Sequence, residues 1–367
     1  MIKIAHLTSA HPRFDTRIFY KQCLSFSSTH EFCVNLIVAD GKGDETSQSI
    51  NIIDVGIPAG RLDRAFKKTK DILAEAIKLD AELYHIHDPE LIPIGLRLLK
   101  KKKIVIFDSH EDLVLQVWSK DYLNVFSKYI ISNFIKFYER IKIPKFDLVV
   151  SATPHITSKL AKYNPNTITV RNFPLLSEVS NNIQWAQREN ILCYSGLISE
   201  KRGLFEMLSI ADNYKLKVFG TLDSEELTRF LSKDTAWRNI DYLGNLTRKD
   251  VYKEYSKCKV GLCLLHPIPN HVTAIPTKMF EYMSNGLPLI ITDTPYWRSI
   301  VEQYECGICV PLGDRAKLIK AVDKLLYNDE YAQKLGNNGI RAIREEANWQ
   351  KEFDNLYKSY IKLLRTK

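Results

Sequence analysis

The stretch Pro276-Thr277-Lys278-Met279-Phe280-Glu281-Tyr282-Met283-Ser284-Asn285-Gly286 combines a cation, a hydroxyl and a carboxylate with the marks of a short helix. Proline suits the first helical turn, and Gly286 supplies the left-handed residue that ends a helix. At 3.6 residues per turn, Met279, Phe280 and Met283 share one face, and Thr277, Lys278 and Glu281 fall on another. Backbone N–H groups and the helix dipole favour an anion at the N-terminal end, beside Lys278. An ionised Glu281 only accepts hydrogen bonds, so it suits two neighbouring sugar hydroxyls. A phosphate beside a vicinal diol describes a nucleotide. The plainer alternative is a surface helix with an i,i+3 Lys–Glu pair, worth about 0.2–0.5 kcal/mol. Leu287 to Ile291 then runs on as a strand ending near Asp293, giving a loop–helix–strand unit.

Such a unit needs a sheet to hold it. Apolar, β-rich runs occur at Ile2–Leu7, Val34–Ala39, Ile52–Val55, Leu83–His87, Ile104–Ser109, Leu148–Ser151 and Ile168–Val170, with helical patterns between most of them, including about Arg61 to Leu79. The rhythm restarts at Ile191–Ser195, Leu216–Phe219, Ile240–Leu243, Val260–Leu264, Leu287–Ile291 and Ile308–Val310. Alternating strands and helices imply α/β domains with doubly wound, mostly parallel sheets. Ligands of such sheets bind beyond the C-terminal strand ends, which draws attention to Ser9–Arg17, His87-Asp88-Pro89-Glu90 and Asp108–Asp112. Asn172-Phe173-Pro174 and the polar run Ser177–Gln187 read as a linker. The expected domains are therefore 1–172 and 173–348, with a terminal helix over 349–367.

The 367 residues exceed what one core usually supports. The hydrophobic fraction of 45% and charged fraction of 26% are those of a soluble globular protein. No apolar run is long enough to span a bilayer, and Met1–Thr8 reads as a strand rather than a signal, so a cytoplasmic protein is expected. Seven dispersed cysteines argue against a disulfide framework, and Cys306-Gly307-Ile308-Cys309 lacks a second ligand pair and reads as packed thiols. A net charge of +9 favours anionic partners. Residues 121–146 interleave Tyr122, Phe126, Tyr129, Phe134 and Phe137 with Lys128, Lys136, Arg140 and Lys142. They read either as a helix packed on the sheet, the preferred reading, or as one lying on an anionic membrane surface on the inner face of the membrane.

Five segments in order on this architecture resemble the retaining glycosyltransferases of family 4, the group 1 type with the GT-B fold. They are His11–Ile18, Ile86–Leu91, Asp108–Asp112, Tyr194–Gly203 and Pro276–Pro288. The resemblance implies two Rossmann-like domains facing across a cleft, the first binding acceptor and the second the sugar-nucleotide donor, with the terminal helix crossing back to the first. It implies that Glu281 holds the ribose hydroxyls, that Gly196 and Arg202 belong to the diphosphate loop, and that Thr273 lies near the donor sugar. Thr277 and Lys278 join the donor set. His110 matches a histidine that contacts the donor sugar, so His110 and Glu281 are the catalytic candidates. Arg13, Asp15 and Arg17, with His87 and Asp88, are candidate diphosphate or acceptor contacts.

Two positions depart from the pattern. Thr273 stands where relatives usually have glutamate, and Leu197 where they commonly have arginine. No pair of aspartates separated by one residue is present, and the resemblance implies that no metal or other cofactor is needed. The reaction implied is transfer from a UDP- or GDP-sugar to a glycan or lipid-linked acceptor, in cell-surface polysaccharide or glycolipid synthesis. A sugar-nucleotide epimerase or hydrolase on the same fold is the nearest rival. A non-catalytic basic binding module is the other; its nucleic-acid form lacks any recognised motif, so no nucleic-acid partner is expected.

Overall fold

A computed structural model describes residues 1–180 and 184–366. Part of the expected linker, residues 181–183, lies outside the described residues. The chain forms two compact units, Met1–Asn172 together with Trp349–Lys367, and Phe173–Asn348.

The first unit is built on eight strands: β1 (Ile2–Leu7), β2 (Phe32–Val38), β3 (Glu45–Ser47), β4 (Ile50–Asp54), β5 (Leu83–Ile86), β6 (Ile104–Ser109), β7 (Leu148–Ser151) and β8 (Thr167–Thr169). Their order is β3-β4-β2-β1-β5-β6-β7-β8, parallel throughout except for β3 against β4. β1 pairs with β2 on one side and β5 on the other, so Ile4 lies between Val34 and Leu83. The sheet reverses direction of winding there, which puts the ligand-binding crevice at the ends of β1 and β5. β5 and β6 are buried along their length because both faces are covered, and they carry His85, Asp108 and Ser109 into that interior. β3 is new relative to the sequence reading. Its residues are polar, and its hairpin turns on Gln48 and Ser49, both left-handed without glycine, so neither usual signal is present.

Two helices of this unit differ from expectation. The segment 61–79 is helical throughout, but Arg64–Lys68 forms wider i+5 turns between the ordinary turns Arg61–Asp63 and Thr69–Leu79. The helix Val125–Lys142 does not pack by its aromatic face. Only Ser132 and Glu139 are buried along it, and Glu139 is clamped by Lys159 at 2.8 Å. The terminal helix Trp349–Thr366 belongs to the first unit. Its Tyr360 stacks on Phe26 at 4.1 Å and its hydroxyl meets His85 Nδ1 at 2.6 Å, while Trp349 Nε1 donates to Ser25 Oγ.

The second unit has six parallel strands: β9 (Ile191–Ser195), β10 (Lys215–Phe219), β11 (Ile240–Tyr242), β12 (Val260–Cys263), β13 (Leu289–Thr292) and β14 (Gly307–Val310). They lie in the order β11-β10-β9-β12-β13-β14. One face buries Cys193, Phe219, Met279, Met283 and Trp297; the other buries Leu192, Tyr194, Leu204, Val218 and Leu325. Winding reverses between β9 and β12, which makes Gly196 and Leu264 the crevice residues. All seven cysteines are unbonded, Cys306 buried and Cys309 half-buried.

Candidate functional site

The helix Thr277–Ser284 starts at Pro276 and closes through Gly286, at φ 63°. Its inner face puts Met279, Phe280 and Met283 in the core, as their spacing requires. Lys278 is not on the solvent side. It is 6% exposed, and its Nζ sits 3.6 Å above the centre of the Tyr194 ring with no hydrogen-bond partner among the described residues. A Cβ placed on Gly196 would lie 3.5 Å from that Nζ, so the ammonium lies directly under the loop that follows β9. Burial is the main cause that lowers the Lys278 pKa, to about 7, and the charge of Arg202 adds to it. The ring face of Tyr194 acts the other way, since it attracts the charged form.

The loop over Lys278 depends on close backbone approach. Gly196 has φ +117° and its N–H donates to Phe219 O. Gly220 has φ +136°, and a Cβ there would collide with the Gly196 carbonyl. Arg202 is half-buried in the turn Glu200–Arg202 and interacts with the Tyr194 hydroxyl, which also donates to Leu197 O at 2.6 Å. Glu281 is half-buried one turn after Lys278, and Tyr255 reaches its Oε2 at 3.5 Å. Tyr255 is itself held by Ser195 Oγ at 2.5 Å. Thr277 is exposed at the helix start, and Thr273 is half-buried in the loop after β12, next to His271. Gly196, Arg202, Lys278 and Glu281 thus gather at the end of β9, with Thr273 and Thr277 on the adjoining loop and helix start.

In the first unit the structure corrects several candidates. Arg13 does not reach outward as a diphosphate contact: it is 1% exposed and grips Asp40 through two nitrogens at 2.9 and 2.7 Å, with Glu45 at 3.3 Å. Arg17 is likewise buried, bidentate on Asp108 at 3.0 and 2.9 Å and bonded to Val170 O. Asp15 caps the segment Thr16–Cys23 by accepting from the Arg17 and Ile18 N–H groups. Asp88 does not cap the turn that follows it. Its Oδ2 accepts from Thr8 Oγ1 at 2.8 Å and the Ser9 N–H at 2.6 Å, so it pins the loop after β1. These four residues build the loop instead of presenting charge to a ligand.

Asp108, at the end of β6, is the hub. Besides Arg17 it takes Gln22 Nε2 at 2.9 Å, and His85, His87 and His110 stand at 3.6, 3.5 and 3.4 Å. Burial opposes its charge, but Arg17 and His110 hold its carboxyl far below the usual range. His6 Nδ1 meets His87 Nε2 at 2.9 Å, and His87 Nδ1 meets His110 Nε2 at 3.3 Å, a chain of imidazoles whose proton positions alternate by necessity. Burial keeps His6 and His85 neutral and pushes His87 down to about 3. At the rim, burial also opposes charge on His11, yet Asp15 and Asp88 outweigh it and raise its pKa. His110 is the partly exposed end of the chain, at 19%. If its Nε2–H donates to Asp108, its Nδ1 is left as an acceptor for a substrate hydroxyl. His87, Asp108 and His110 have ligand-type atoms within 4.8 Å of one another, but both Asp108 oxygens already serve Arg17.

Residues 177–342 match the family model for glycosyl transferases group 1. That match falls within the second unit, Phe173–Asn348. The chain is 23% identical over 323 residues to O-antigen chain mannosyltransferase C of Escherichia coli, a match covering 83% of this chain and 79% of that protein. Capsular polysaccharide biosynthesis glycosyltransferase CapM of Staphylococcus aureus is 24% identical over 239 residues, 56% of this chain and 59% of that one. Among solved structures, sucrose-phosphate synthase of Thermosynechococcus elongatus superposes with a TM-score of 0.80 at 17% identity over 100% of both chains. HepE of Anabaena, solved with UDP and glucose, gives 0.72 at 11% identity over 99% of this chain and 100% of that one. The fold is GT-B.

Sequence reasoning assigned no role to Tyr194, Tyr255 or Gly220 around the loop that follows β9. Tyr194 reads as a strand residue opening the Tyr194–Gly203 segment, and no local pattern reveals that its ring carries a lysine from 84 positions away. Asp108 is legible as a strand-end acid, whereas nothing local in the sequence ties His6 or His85 to it.

Proposed function

We propose that this chain is a retaining glycosyltransferase that moves a sugar from a UDP- or GDP-sugar to a glycan or lipid-linked acceptor, without a metal. The reading rests on one observation above the rest: Lys278, a buried amine with no hydrogen-bond partner among the described residues, aimed at the glycine loop after β9. A buried polar group without a partner is costly, and an anion arriving above Gly196 supplies the partner. Glu281, one turn further on, is placed to accept from a ribose diol. The names of the two curated relatives support a role in cell-surface polysaccharide synthesis, and the complex of HepE supports a nucleotide donor.

The chemistry follows the charge. Cleavage of the anomeric C–O bond leaves negative charge on the departing nucleoside diphosphate and positive charge on the sugar. Lys278, Arg202 and the N–H groups opening the helix Thr277–Ser284 stabilise the departing diphosphate. Retention of anomeric configuration is part of the proposal, and no nucleophile is assigned. His110, oriented by Asp108 and His87, accepts a hydrogen bond or proton from a sugar hydroxyl.

Glu281→Ala and Arg202→Ala are each expected to lower turnover at least about tenfold with an unchanged unfolding midpoint. Wild-type turnover in a folded Glu281→Ala protein would remove the assignment. Donor consumption with no acceptor present would instead identify an epimerase or hydrolase, and loss of activity with EDTA would refute the metal-free reading.

A further inference from the structure

The helix Val125–Lys142 is built with its apolar side outward. Phe126, Ile130, Phe134, Phe137 and Ile141 are spaced four, four, three and four, a single stripe on a 3.6-residue helix. All five are exposed, Phe126 at 73%, Phe134 at 65% and Phe137 at 63%. The opposite side buries Ser132 and Glu139. Contiguous apolar surface of this kind marks an interaction site.

Beside the stripe, this helix and the helix Ile92–Lys100 enclose a groove of about 590 Å³. Arg97, Lys100, Lys142 and Lys145 line it with Leu96 and Tyr138. None of those four cations has an ion-pair partner among the described residues. Glu139, the one carboxylate among residues 125–145, is turned inward onto Lys159.

We propose that this face docks the protein on an anionic lipid bilayer. The helix lies in the interface plane, its aromatic stripe sits at the boundary of headgroups and acyl chains, and the groove takes lipid phosphate groups. The charge selects this occupant. A second copy of the chain, paired through the same face, would bring four unpaired cations against four more. Nucleic acid would satisfy the cations but leave the Phe and Ile stripe in water. No helix of the described residues is long and apolar enough to cross a membrane, so the docking is peripheral. The inference extends the reading of a lipid-linked acceptor, but uses none of the residues of the nucleotide site.

The test is sedimentation of the full-length protein with vesicles of phosphatidylcholine, alone or mixed with phosphatidylglycerol. Wild-type protein is expected to pellet with the mixed vesicles at least about tenfold more strongly than with the neutral ones, and raised salt should weaken that binding. Phe126→Ser/Phe134→Ser/Phe137→Ser is expected to weaken it at least about tenfold, as is Arg97→Gln/Lys100→Gln/Lys142→Gln/Lys145→Gln. A Phe134→Trp protein should show fluorescence quenched by brominated acyl chains. Circular dichroism and nucleotide binding, unchanged in both multiple variants, keep this result separate from the fate of the nucleotide site. Absence of pelleting with either vesicle, or equal pelleting with both, overturns the proposal. So does a wild-type dimer in solution that the serine variant breaks.

Discussion

A buried ammonium stacked on a tyrosine ring, with no hydrogen-bond partner among the described residues, is a poised charge. Burial lowers the Lys278 pKa to about 7, so at slightly alkaline pH a sizeable fraction is neutral. A bound diphosphate favours the charged form and raises the pKa, so binding takes up a proton above about pH 7. Affinity for a nucleoside diphosphate is therefore expected to be full below that pH and to fall by up to about tenfold per pH unit above it, until the bound-state pKa is reached. Lys278→Met should abolish both the pH dependence and the proton uptake, read as a buffer-dependent enthalpy, and weaken binding at least about tenfold. Buffer-independent enthalpies in the wild type would contradict this. Residue types and spacing were enough to single out Lys278 and Glu281, but not the direction of Lys278. Arg13 and Arg17 misled for a related reason. Their partners Asp40 and Asp108 lie 27 and 91 positions away, and a loop sequence does not show that a guanidinium is already taken.

Among the elements, the strand ends of the first unit make stability depend on pH. His6, His85 and His87 are neutral in the folded protein because burial lowers their pKa values, while an unfolded chain protonates them near 6.5. The unfolded state then binds more protons, so stability falls on acidification through that range. At about pH 5.5 each contributes on the order of 1 kcal/mol of destabilisation, and the three together a few kcal/mol at most. His11, with a raised pKa, opposes this: its contribution is present below its unfolded pKa and is lost as pH rises through the folded value. Thermal melts from pH 7.5 to 5.5 should show a clear fall that flattens in His85→Phe; a flat profile in the wild type would argue against neutral histidines. In the second unit, Gly220→Ala should disturb the Gly196 loop and cut nucleotide affinity at least about tenfold, because its Cβ meets the Gly196 carbonyl at a backbone angle that alanine avoids. Most strands were legible because apolar runs bounded by turn residues have few other uses. β3 was not, being short, polar and turned by Gln48-Ser49. The helix Val125–Lys142 was legible as a helix, but its orientation was not, since the same stripe suits a core or a membrane.

At the scale of the molecule, the chain's last helix matters to its first unit. Trp349, Phe353, Leu356 and Tyr360 are all buried, and the phenol of Tyr360 bonds His85 at the centre of the sheet. Burial of such side chains is worth about 1.5–3 kcal/mol each, so ending the chain at Asn348 removes an amount comparable with the whole stability of a domain. The shortened protein is expected to lose the cooperative melt of its first unit, and a melt unchanged from the full chain would contradict that packing. The two-sheet architecture was legible from rhythm alone, whereas donor sugar and acceptor depend on side-chain geometry that rhythm does not carry. The central claim, a nucleoside diphosphate held by Lys278 and Glu281, is tested most directly by calorimetry with UDP, GDP and CMP in the presence of EDTA. The account predicts that UDP or GDP binds, that CMP binds far more weakly, and that Glu281→Ala and Lys278→Met each weaken binding at least about tenfold. No binding of any of the three, or equal binding by the variants, would contradict it.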